Sequence, residues 1–223
     1  NKDISYIVVF SLLNYQSFDR NGDYRDTYFG NFVNYLKEKN IPFLNLLLVL
    51  MPFSKKILKK TYNQSKKLPL ITLDYFLSLF DLLTCLFYSL KGYLLPDKIK
   101  GIMEINGVNL NFLIKKIIRN DYISSYFYDN LKVWFAIKNL AKQVTIKKFY
   151  YPFENRPFEK MSILALKEIS PFTRIIGYQH ASLSLRHTNF LLTKEETKIT
   201  PLPDRILTMG EITKEFMQNI GNF

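Results

Sequence analysis

Continuous runs of apolar residues mark two strands near the start of the chain. Residues 4–11 and 43–51 are rich in β-branched and large apolar side chains, which is typical of strands buried on both faces of a parallel sheet. Between them, apolar residues recur at helical spacing over 28–39, and Asn40 follows as a predicted helix end. The polar segment 14–25 predicts a loop. This order of strand, loop, helix and strand indicates a right-handed crossover unit.

The middle of the chain has a mainly helical pattern. Residues 55–67 predict a basic helix, 74–95 a long apolar helix that ends before Pro96, and 109–142 one or two further helices. The apolar segment contains Asp81, and a carboxylate at the centre of a bilayer costs roughly 2.5–3.5 kcal/mol on insertion scales. We therefore expect a buried or interfacial helix rather than a membrane span.

Strands and helices alternate again in the last third of the chain. Strands are predicted over 144–151, 173–178 and 205–209, and helices over 157–169 and 211–220. This alternation predicts an α/β fold, a Rossmann-like parallel sheet with inserted helices.

Polar residues follow the strand predicted over 144–151. Glu154, Asn155 and Arg156 precede Pro157, which suits the first turn of a helix because its missing N–H is not needed there. The next helix carries a predicted buried stripe formed by Phe158, Met161, Leu164 and Ala165. Ligands of open parallel sheets bind outside the carboxyl ends of the strands. Glu154 either complements the helix dipole, worth about 0.3–1 kcal/mol, or serves as a general base or a hydrogen-bond acceptor for substrate hydroxyls.

A second polar group follows the strand predicted over 173–178. Gln179 and His180 come directly after this strand, and Arg186 lies in the polar loop beyond. Histidine transfers protons near neutral pH, although a lone histidine after a strand also serves purely structural roles. A guanidinium matches the oxygens of a diphosphate, which makes Arg186 a candidate phosphate ligand.

Composition narrows the class of protein. The 223 residues are 48% hydrophobic and 16% aromatic, which excludes disordered and collagen-like chains. The single cysteine, Cys85, cannot form an internal disulfide, and a cytoplasmic location is the simplest inference. The net charge of +12 is explained either by solvated lysine-bearing faces or by an anionic partner: nucleic acid, lipid headgroups or a phosphorylated substrate. Because the aromatic residues lie in core-like runs, we do not expect nucleic acid to be the partner.

Several catalytic motifs are absent from the sequence. It contains no G-x-S-x-G, no P-loop, no G-x-G-x-x-G and no Asp-x-Asp, and its Cys and His residues lack metal-ligand spacing. We therefore expect no metal and no cofactor. The first residues also show no signal-peptide pattern.

Three segments carry a resemblance to a known family. YPFENRPFEKMSILALKE, TRIIGYQHASLS and PLPDRILTMGEITKEFM resemble bacterial surface-carbohydrate biosynthesis proteins of the O-antigen and capsule type. Residues 18–20 and 28–30 are similar to the first strand–helix unit of that family. The Gln-His strand end followed by Pro-Asp-x-Ile-Leu is shared more widely, among glycosyltransferases with two facing Rossmann-like domains, the GT-B fold.

The resemblance implies an architecture. Residues 1–200 would form the N-terminal, acceptor-side domain of a GT-B fold, with a helical insertion at about 55–142. Residues 201–223 would begin a truncated C-terminal domain. Most of the donor site would then be missing from this sequence, and the fragment alone would be nearly inactive.

The resemblance also implies a reaction and its residues. Glu154 and His180 would be catalytic, and the substrate-binding residues would be Asn155, Arg156, Gln179, Ser182 and Arg186. The donor would be a nucleotide sugar and the acceptor a saccharide or a lipid-linked molecule, handled at the anionic inner face of the plasma membrane. Two rivals remain: a non-catalytic membrane-peripheral binding domain, and a transferase of GT-B architecture that moves a polyol phosphate from a CDP-linked donor.

Overall fold

The structure, a computed structural model, describes residues 4–49, 55–94, 96 and 104–223. Its strands are β1 (Ser5–Leu13), β2 (Phe43–Val49), β3 (Leu70–Thr72), β4 (Glu104–Ile105), β5 (Val108–Asn109), β6 (Thr145–Pro152), β7 (Arg174–Tyr178) and β8 (Arg205–Leu207). Its α-helices are α1 (Phe32–Glu38), α2 (Lys55–Ser65), α3 (Leu79–Gly92), α4 (Asn111–Ile123), α5 (Ser125–Gln143), α6 (Pro157–Ile169), α7 (Lys194–Ile199) and α8 (Glu211–Asn219).

Six of these strands form one parallel sheet in the order β3-β2-β1-β6-β7-β8. The predicted α/β fold, a Rossmann-like parallel sheet with helices around it, is confirmed. The chain runs outward from β1 to β3 and then crosses back to β6, so the strand order reverses between β1 and β6. In open α/β sheets, the crevice at such a switch point is where ligands bind.

The central strand β1 supplies core residues to both faces of the sheet. Val8 and Phe10 belong to a cluster that includes residues of α5 and α6, whereas Val9 and Leu13 pack in a second cluster with residues of α1. Each fully buried side chain of this size contributes about 1.5–3 kcal/mol relative to an exposed one. The apolar run in the sequence is continuous because both faces of β1 are covered.

The first helix is shorter than predicted. It begins at Phe32 rather than at position 28, because Asp26 accepts hydrogen bonds from the backbone amides of Tyr28 and Phe29, and Gly30 has a φ of 55°. These contacts fold residues 26–30 into a turn. Asn40, the predicted helix end, has a left-handed φ of 53°. The predicted end of β2 at residue 51, with Pro52 after it, lies outside the described residues.

The long apolar helix predicted over 74–95 is wrong at its start. Leu73–Phe76 is a 3₁₀ turn, and α3 begins at Leu79 because Ser78 and Asp81 cap each other. Asp81 accepts from the Ser78 backbone N–H at 2.8 Å, and Ser78 Oγ accepts from the Asp81 N–H at 3.1 Å. Asp81 thus serves as a helix cap.

The 55–142 region contains β3, β4 and β5 as well as helices. The three-residue β3 pairs with β2 and forms one edge of the main sheet, so this region is not purely a helical insertion. The helical pattern predicted over 109–142 corresponds to α4 and α5, which are separated at Ser124 by an extended residue.

Residues 201–223, predicted as the start of a second domain, complete the same sheet. β8 pairs with β7 in register, with Ile176 opposite Arg205. The ring of Phe223 lies 5.5 Å from the ring of Phe153, and Met217 is buried in the main core. Met217 and Phe223 therefore pack against the core of the same sheet.

Candidate functional site

Two loops leave the carboxyl edge of the sheet side by side. Pro152 at the end of β6 lies opposite Tyr178 at the end of β7, and the Phe153 N–H donates to the Tyr178 carbonyl at 2.8 Å. This register carries Glu154 and His180 to the same edge, each two residues beyond the aligned strand ends. The structure therefore brings the two polar strand ends together.

Glu154 and His180 contact each other there. His180 Nε2 lies 3.5 Å from Glu154 Oε1, and Arg156 Nε lies 2.5 Å from Glu154 Oε2. The side chains of Glu154 and His180 are 21% and 19% exposed, so both are shielded but reachable from solvent. The two residues are called the Glu154–His180 pair below.

A tyrosine of the β1–α1 loop closes one side of the pair. The ring of Tyr28 meets the imidazole edge-on, with ring centroids 4.6 Å apart. Burial lowers the pKa of His180, and the negative charge of Glu154 opposes this only in part. His180 is therefore neutral at pH 7 and can both accept and donate a proton. Burial also raises the pKa of the Tyr28 hydroxyl, with a further contribution from the charge of Glu154.

A buried carboxylate holds Tyr28 in place. Asp26 is 3% exposed and accepts hydrogen bonds from Ser11 Oγ at 3.0 Å, Tyr24 OH at 3.0 Å, and the amides of Tyr28 and Phe29 at 2.9 Å each. Ser11 belongs to β1, so the loop is anchored directly to the central strand. Asp26 is thus a positioning residue for one wall of the site.

A second buried carboxylate supports the β6–α6 loop. Glu159, at 1% exposure, accepts from the backbone N–H of Glu154 at 3.0 and 3.2 Å. Burial raises the pKa of Glu159 to about 8, although hydrogen bonds from the amides of residues 154–156 lower it in part. Within this loop Asn155 adopts a left-handed φ of 54°. The loop that carries Glu154 is therefore wrapped around a buried acid.

Asn155 and Gln179, predicted to bind substrate, are buried against backbone. Asn155 Nδ2 donates to the Asn189 carbonyl at 2.7 Å, while Asn189 Nδ2 donates to the Glu154 carbonyl. Gln179 is fully buried and its Nε2 donates to the Ala181 carbonyl. Both amides hold the two loops in shape, and the side-chain oxygen of each has no hydrogen-bond partner within the described residues.

The other predicted binding residues lie on the exposed loop after β7. Ser182 and Arg186 are both exposed, and neither side chain forms an ion pair or hydrogen bond with the Glu154–His180 pair in the described part of the chain. Arg156, at the N-terminus of α6, has a side chain that is 60% exposed. Its guanidinium contacts Glu154, so the structure brings this arginine to the pair.

Sequence reasoning missed Asp26, Tyr28, Glu159 and Asn189. One of them carried a recognisable signal, because Glu159 is the third residue of α6, where a glutamate commonly accepts from amides at the helix start. The contacts of the other three depend on tertiary structure.

Comparisons with known proteins give no match. No protein-family model and no curated protein matches the sequence, and no solved structure matches the fold. The geometry of the site is therefore the basis for the functional proposal.

Three further features bear on its chemistry. Among residues 4–49, 55–94, 96 and 104–223, no helix has the length and apolar character to cross a membrane. The same residues contain no group of three His, Cys, Asp or Glu side chains placed to hold a metal ion. Burial raises the pKa of the Cys85 thiol to about 11, so this cysteine is not a ready nucleophile.

Proposed function

We propose that this protein is a metal-independent glycosyltransferase of bacterial surface-polysaccharide biosynthesis. It transfers a sugar from a nucleotide-sugar donor to a saccharide or lipid-linked acceptor. The observation that carries the proposal is the Glu154–His180 pair, with its 3.5 Å contact at the carboxyl edge of the sheet and beside the switch point. The resemblance of residues 151–217 to O-antigen and capsule biosynthesis proteins supplies the reaction class.

In the proposed reaction, Glu154 is the general base. The acceptor hydroxyl forms a bond to the anomeric carbon of the donor sugar, and its proton passes to the Glu154 carboxylate. The bond between the anomeric carbon and the diphosphate oxygen breaks, and the nucleoside diphosphate leaves. Arg156 is placed to stabilise the negative charge of the leaving group, because a guanidinium at a helix N-terminus favours phosphate oxygens.

His180 orients the base in this scheme. Its neutral imidazole lies beside Glu154 and under Tyr28, where it can donate a hydrogen bond to the carboxylate or to a donor phosphate. Asn155 and Gln179 act as positioning residues through the backbone contacts described above. Ser182 and Arg186 lie on an exposed loop that can bind the donor if it moves toward the pair.

The test is sugar transfer by the intact protein, with UDP-, GDP-, CMP- and CDP-linked donors. Glu154→Gln and His180→Ala are expected to lower turnover by 10²-fold or more while the circular-dichroism spectrum is unchanged. His187→Ala is the matched control, since His187 is exposed and does not contact the pair. Wild-type turnover in both variants rejects the site assignment. Transfer of a polyol phosphate from a CDP-linked donor identifies the rival transferase chemistry.

A specific surface favours a second candidate function, binding to anionic membranes. Helices α3 and α4 expose many large apolar side chains, including Phe80 at 76% and Phe112 at 79% exposure. The full set on this α3–α4 surface is Leu79, Phe80, Leu83, Leu86, Phe87, Tyr88, Leu90, Phe112, Leu113, Ile117 and Ile123. Lys91, Lys115, Lys116 and Arg119 lie on the same two helices, and apolar residues combined with basic ones are typical of interfacial helices.

Vesicle flotation tests this candidate and the proposed location at the inner face of the plasma membrane. Vesicles that contain phosphatidylglycerol should bind the protein, whereas phosphatidylcholine vesicles should not. The double variant Phe80→Ser/Phe112→Ser should abolish flotation. Phe172→Ser is the control, because Phe172 is 98% exposed but lies between α6 and β7. Flotation that persists in the double variant rejects this surface, and flotation without any sugar transfer favours a non-catalytic membrane domain.

A further inference from the structure

A cavity opens at the carboxyl edge of the sheet, between β2 and α6. It has a volume of about 270 Å³ and lies between the carboxyl end of β2, the 3₁₀ turn before α3, the start of α5 and the first turn of α6. Only β1 separates β2 from β6 in the sheet. Because neighbouring strands are about 4.8 Å apart, the β2 side of the cavity lies about 10 Å from the strand that leads to Glu154.

The polar lining of this cavity combines hydrogen-bond acceptors with one cationic group. Asp74, Asp129, Asn130 and Lys132 all face it. Lys132 Nζ lies 3.0 Å from Asp129 Oδ1, but the Asp74 carboxylate has no hydrogen bond or ion pair with a side chain in the described part of the chain. The Asn130 Nδ2 group donates to the Tyr126 carbonyl at 2.7 Å, so its side-chain oxygen is available to a ligand.

Charge distinguishes the ligands that such a cavity accepts. Its two carboxylates outnumber its single ammonium group, so the lining is net negative on a chain of net charge +12. Burial acts to lower the pKa of Lys132, but the hydrogen bond and charge of Asp129, together with the charge of Asp74, raise it overall. The lysine is therefore fully charged and already neutralised by the acids. Phosphate or a nucleotide would be repelled here, because like charges at close range are unfavourable.

The apolar lining provides a flat contact. Phe158 and Tyr126 both face the cavity, and the Phe158 ring is fixed by an edge-on contact with Phe10 at 6.1 Å. An aromatic face next to carboxylate and amide oxygens is suited to a ring that has C–H groups on its faces and hydroxyl groups around its edge. A volume of 270 Å³ lies just below the range of about 300–1,000 Å³ of typical ligand pockets, which fits one small ring.

We propose that this cavity binds a neutral sugar ring, with Asp74 accepting from its hydroxyl groups and Phe158 covering one face. The role of that sugar as the acceptor rests on the proposed transferase function. The position of the cavity at the carboxyl edge of the sheet allows a saccharide that extends from it to reach Glu154. Binding itself does not require donor or turnover.

Saturation-transfer NMR with methyl glycosides of glucose, galactose, mannose and N-acetylglucosamine tests the proposal on the intact protein. At least one glycoside should bind, and Asp74→Asn should weaken its binding by about tenfold or more, since hydrogen bonds to charged groups are worth about 1.5–3 kcal/mol. Asp121→Asn, at an exposed position on α4, should leave binding unchanged. Inorganic phosphate should not compete.

The outcomes separate this proposal from the transferase function. If no glycoside binds, if the two aspartate variants behave alike, or if phosphate competes, the cavity is not a sugar site. Lys132→Met removes the ammonium group but keeps Asp74. If this variant binds the glycoside as the native protein does and Asp74→Asn binds it more weakly, the Asp74 carboxylate is the main ligand as proposed. Glycoside binding without sugar transfer rejects only the transferase. Sugar transfer whose acceptor KM is unaffected by Asp74→Asn rejects only the cavity.

Discussion

The carboxyl group of Glu159 accepts a hydrogen bond from the backbone N–H of Glu154 at 3.0 Å. The buried Glu159 thus holds the loop that carries the partly exposed Glu154. The two residues are five positions apart, and the loop between them includes the left-handed Asn155. Through this contact, the protonation state of Glu159 affects the position of Glu154, the proposed base.

We expect Glu159 to make stability fall as pH rises toward 8. Its folded-state pKa of about 8 lies above the ordinary value of 4.5, so the folded protein binds more protons between these values. The stabilisation is present at low pH and is lost as pH rises. Between pH 6.5 and 8.5 the free energy of unfolding should fall by about 1–2 kcal/mol, because each pKa unit corresponds to 1.36 kcal/mol.

Urea unfolding at several pH values checks this expectation. Glu159→Gln should remove the decline over pH 6.5–8.5, whereas Glu154→Gln should retain it. Burial lowers the pKa of His180, so its titration moves away from the upper part of this window. An equal slope in Glu159→Gln and the unmodified protein contradicts the prediction.

Tyr28 should control the protonation of His180. Its ring covers the imidazole at 4.6 Å, and burial is the main cause of the lowered pKa. Tyr28→Ala should admit water and raise the pKa of His180 toward its ordinary value, whereas Tyr28→Phe should keep it low. An NMR titration of the His180 imidazole protons measures both variants. The prediction is wrong if the alanine variant titrates like the native protein.

Gly177 in β7 should not tolerate a side chain. A Cβ there would lie 2.9 Å from Phe153 Cβ and 3.1 Å from its Cγ, and neither atom can swing away as the end of a flexible side chain could. Gly177→Ala is expected to lower the free energy of unfolding by about 2–3 kcal/mol.

Gly210→Ala is the matched control for that substitution. A Cβ at Gly210 would meet nothing within 4 Å, so the loss should stay below about 1 kcal/mol. Both variants are compared by urea unfolding, and equal losses contradict the steric argument. Because Phe153 directly precedes Glu154, Gly177→Ala should also reduce sugar transfer.

Asp26 should contribute far more to stability than an exposed aspartate with similar hydrogen bonds. Asp26→Ala would leave the hydroxyl of Tyr24 and two amides without their acceptor in a buried region, which should cost about 3 kcal/mol or more. Asp19 accepts two backbone amides at the surface, and Asp19→Ala should cost about 1 kcal/mol. Chemical denaturation of both variants measures the difference, and similar losses would show that Asp26 is not a central support.

Local pattern was sufficient for some elements and not for others. Helix α6 has the predicted bounds because proline at its first position gives a strong start signal. Strand β3 was missed, since three residues are too few to show an alternating or continuous apolar pattern. It forms because β2 offers an open edge beside it.

The predicted buried stripe of α6 was partly wrong. Ala165 is buried as expected, but Leu164 is 45% exposed, and Ile163 and Leu166 are buried in its place. The buried Glu159 explains the error. The buried face of the helix was inferred from the positions of apolar residues, and a charged residue type on that face does not fit this pattern. Its burial depends on amides that only the folded loop presents.

The sequence indicated the two polar strand ends that form the site but not what surrounds them. The neighbourhood of Glu154 and His180 follows from parallel pairing, which the apolar runs indicate. The approach of Tyr28 depends on the turn held by Asp26, and the burial of Asn155 depends on Asn189, more than thirty positions away. Contacts of this kind between distant residues produce no periodic pattern in the sequence, so they could not be predicted from it.

The position of β1 in the sheet affects how the chain folds while it is being synthesised on the ribosome. Ser5 at the start of β1 pairs with Thr145 at the start of β6, so one side of the central strand has no partner until most of the chain has been synthesised. Contacts between such distant positions slow folding, because a long loop must close before they form. The apolar residues of β1 are exposed to intermolecular pairing during this time, and we expect the nascent chain to depend on chaperones until β6 emerges.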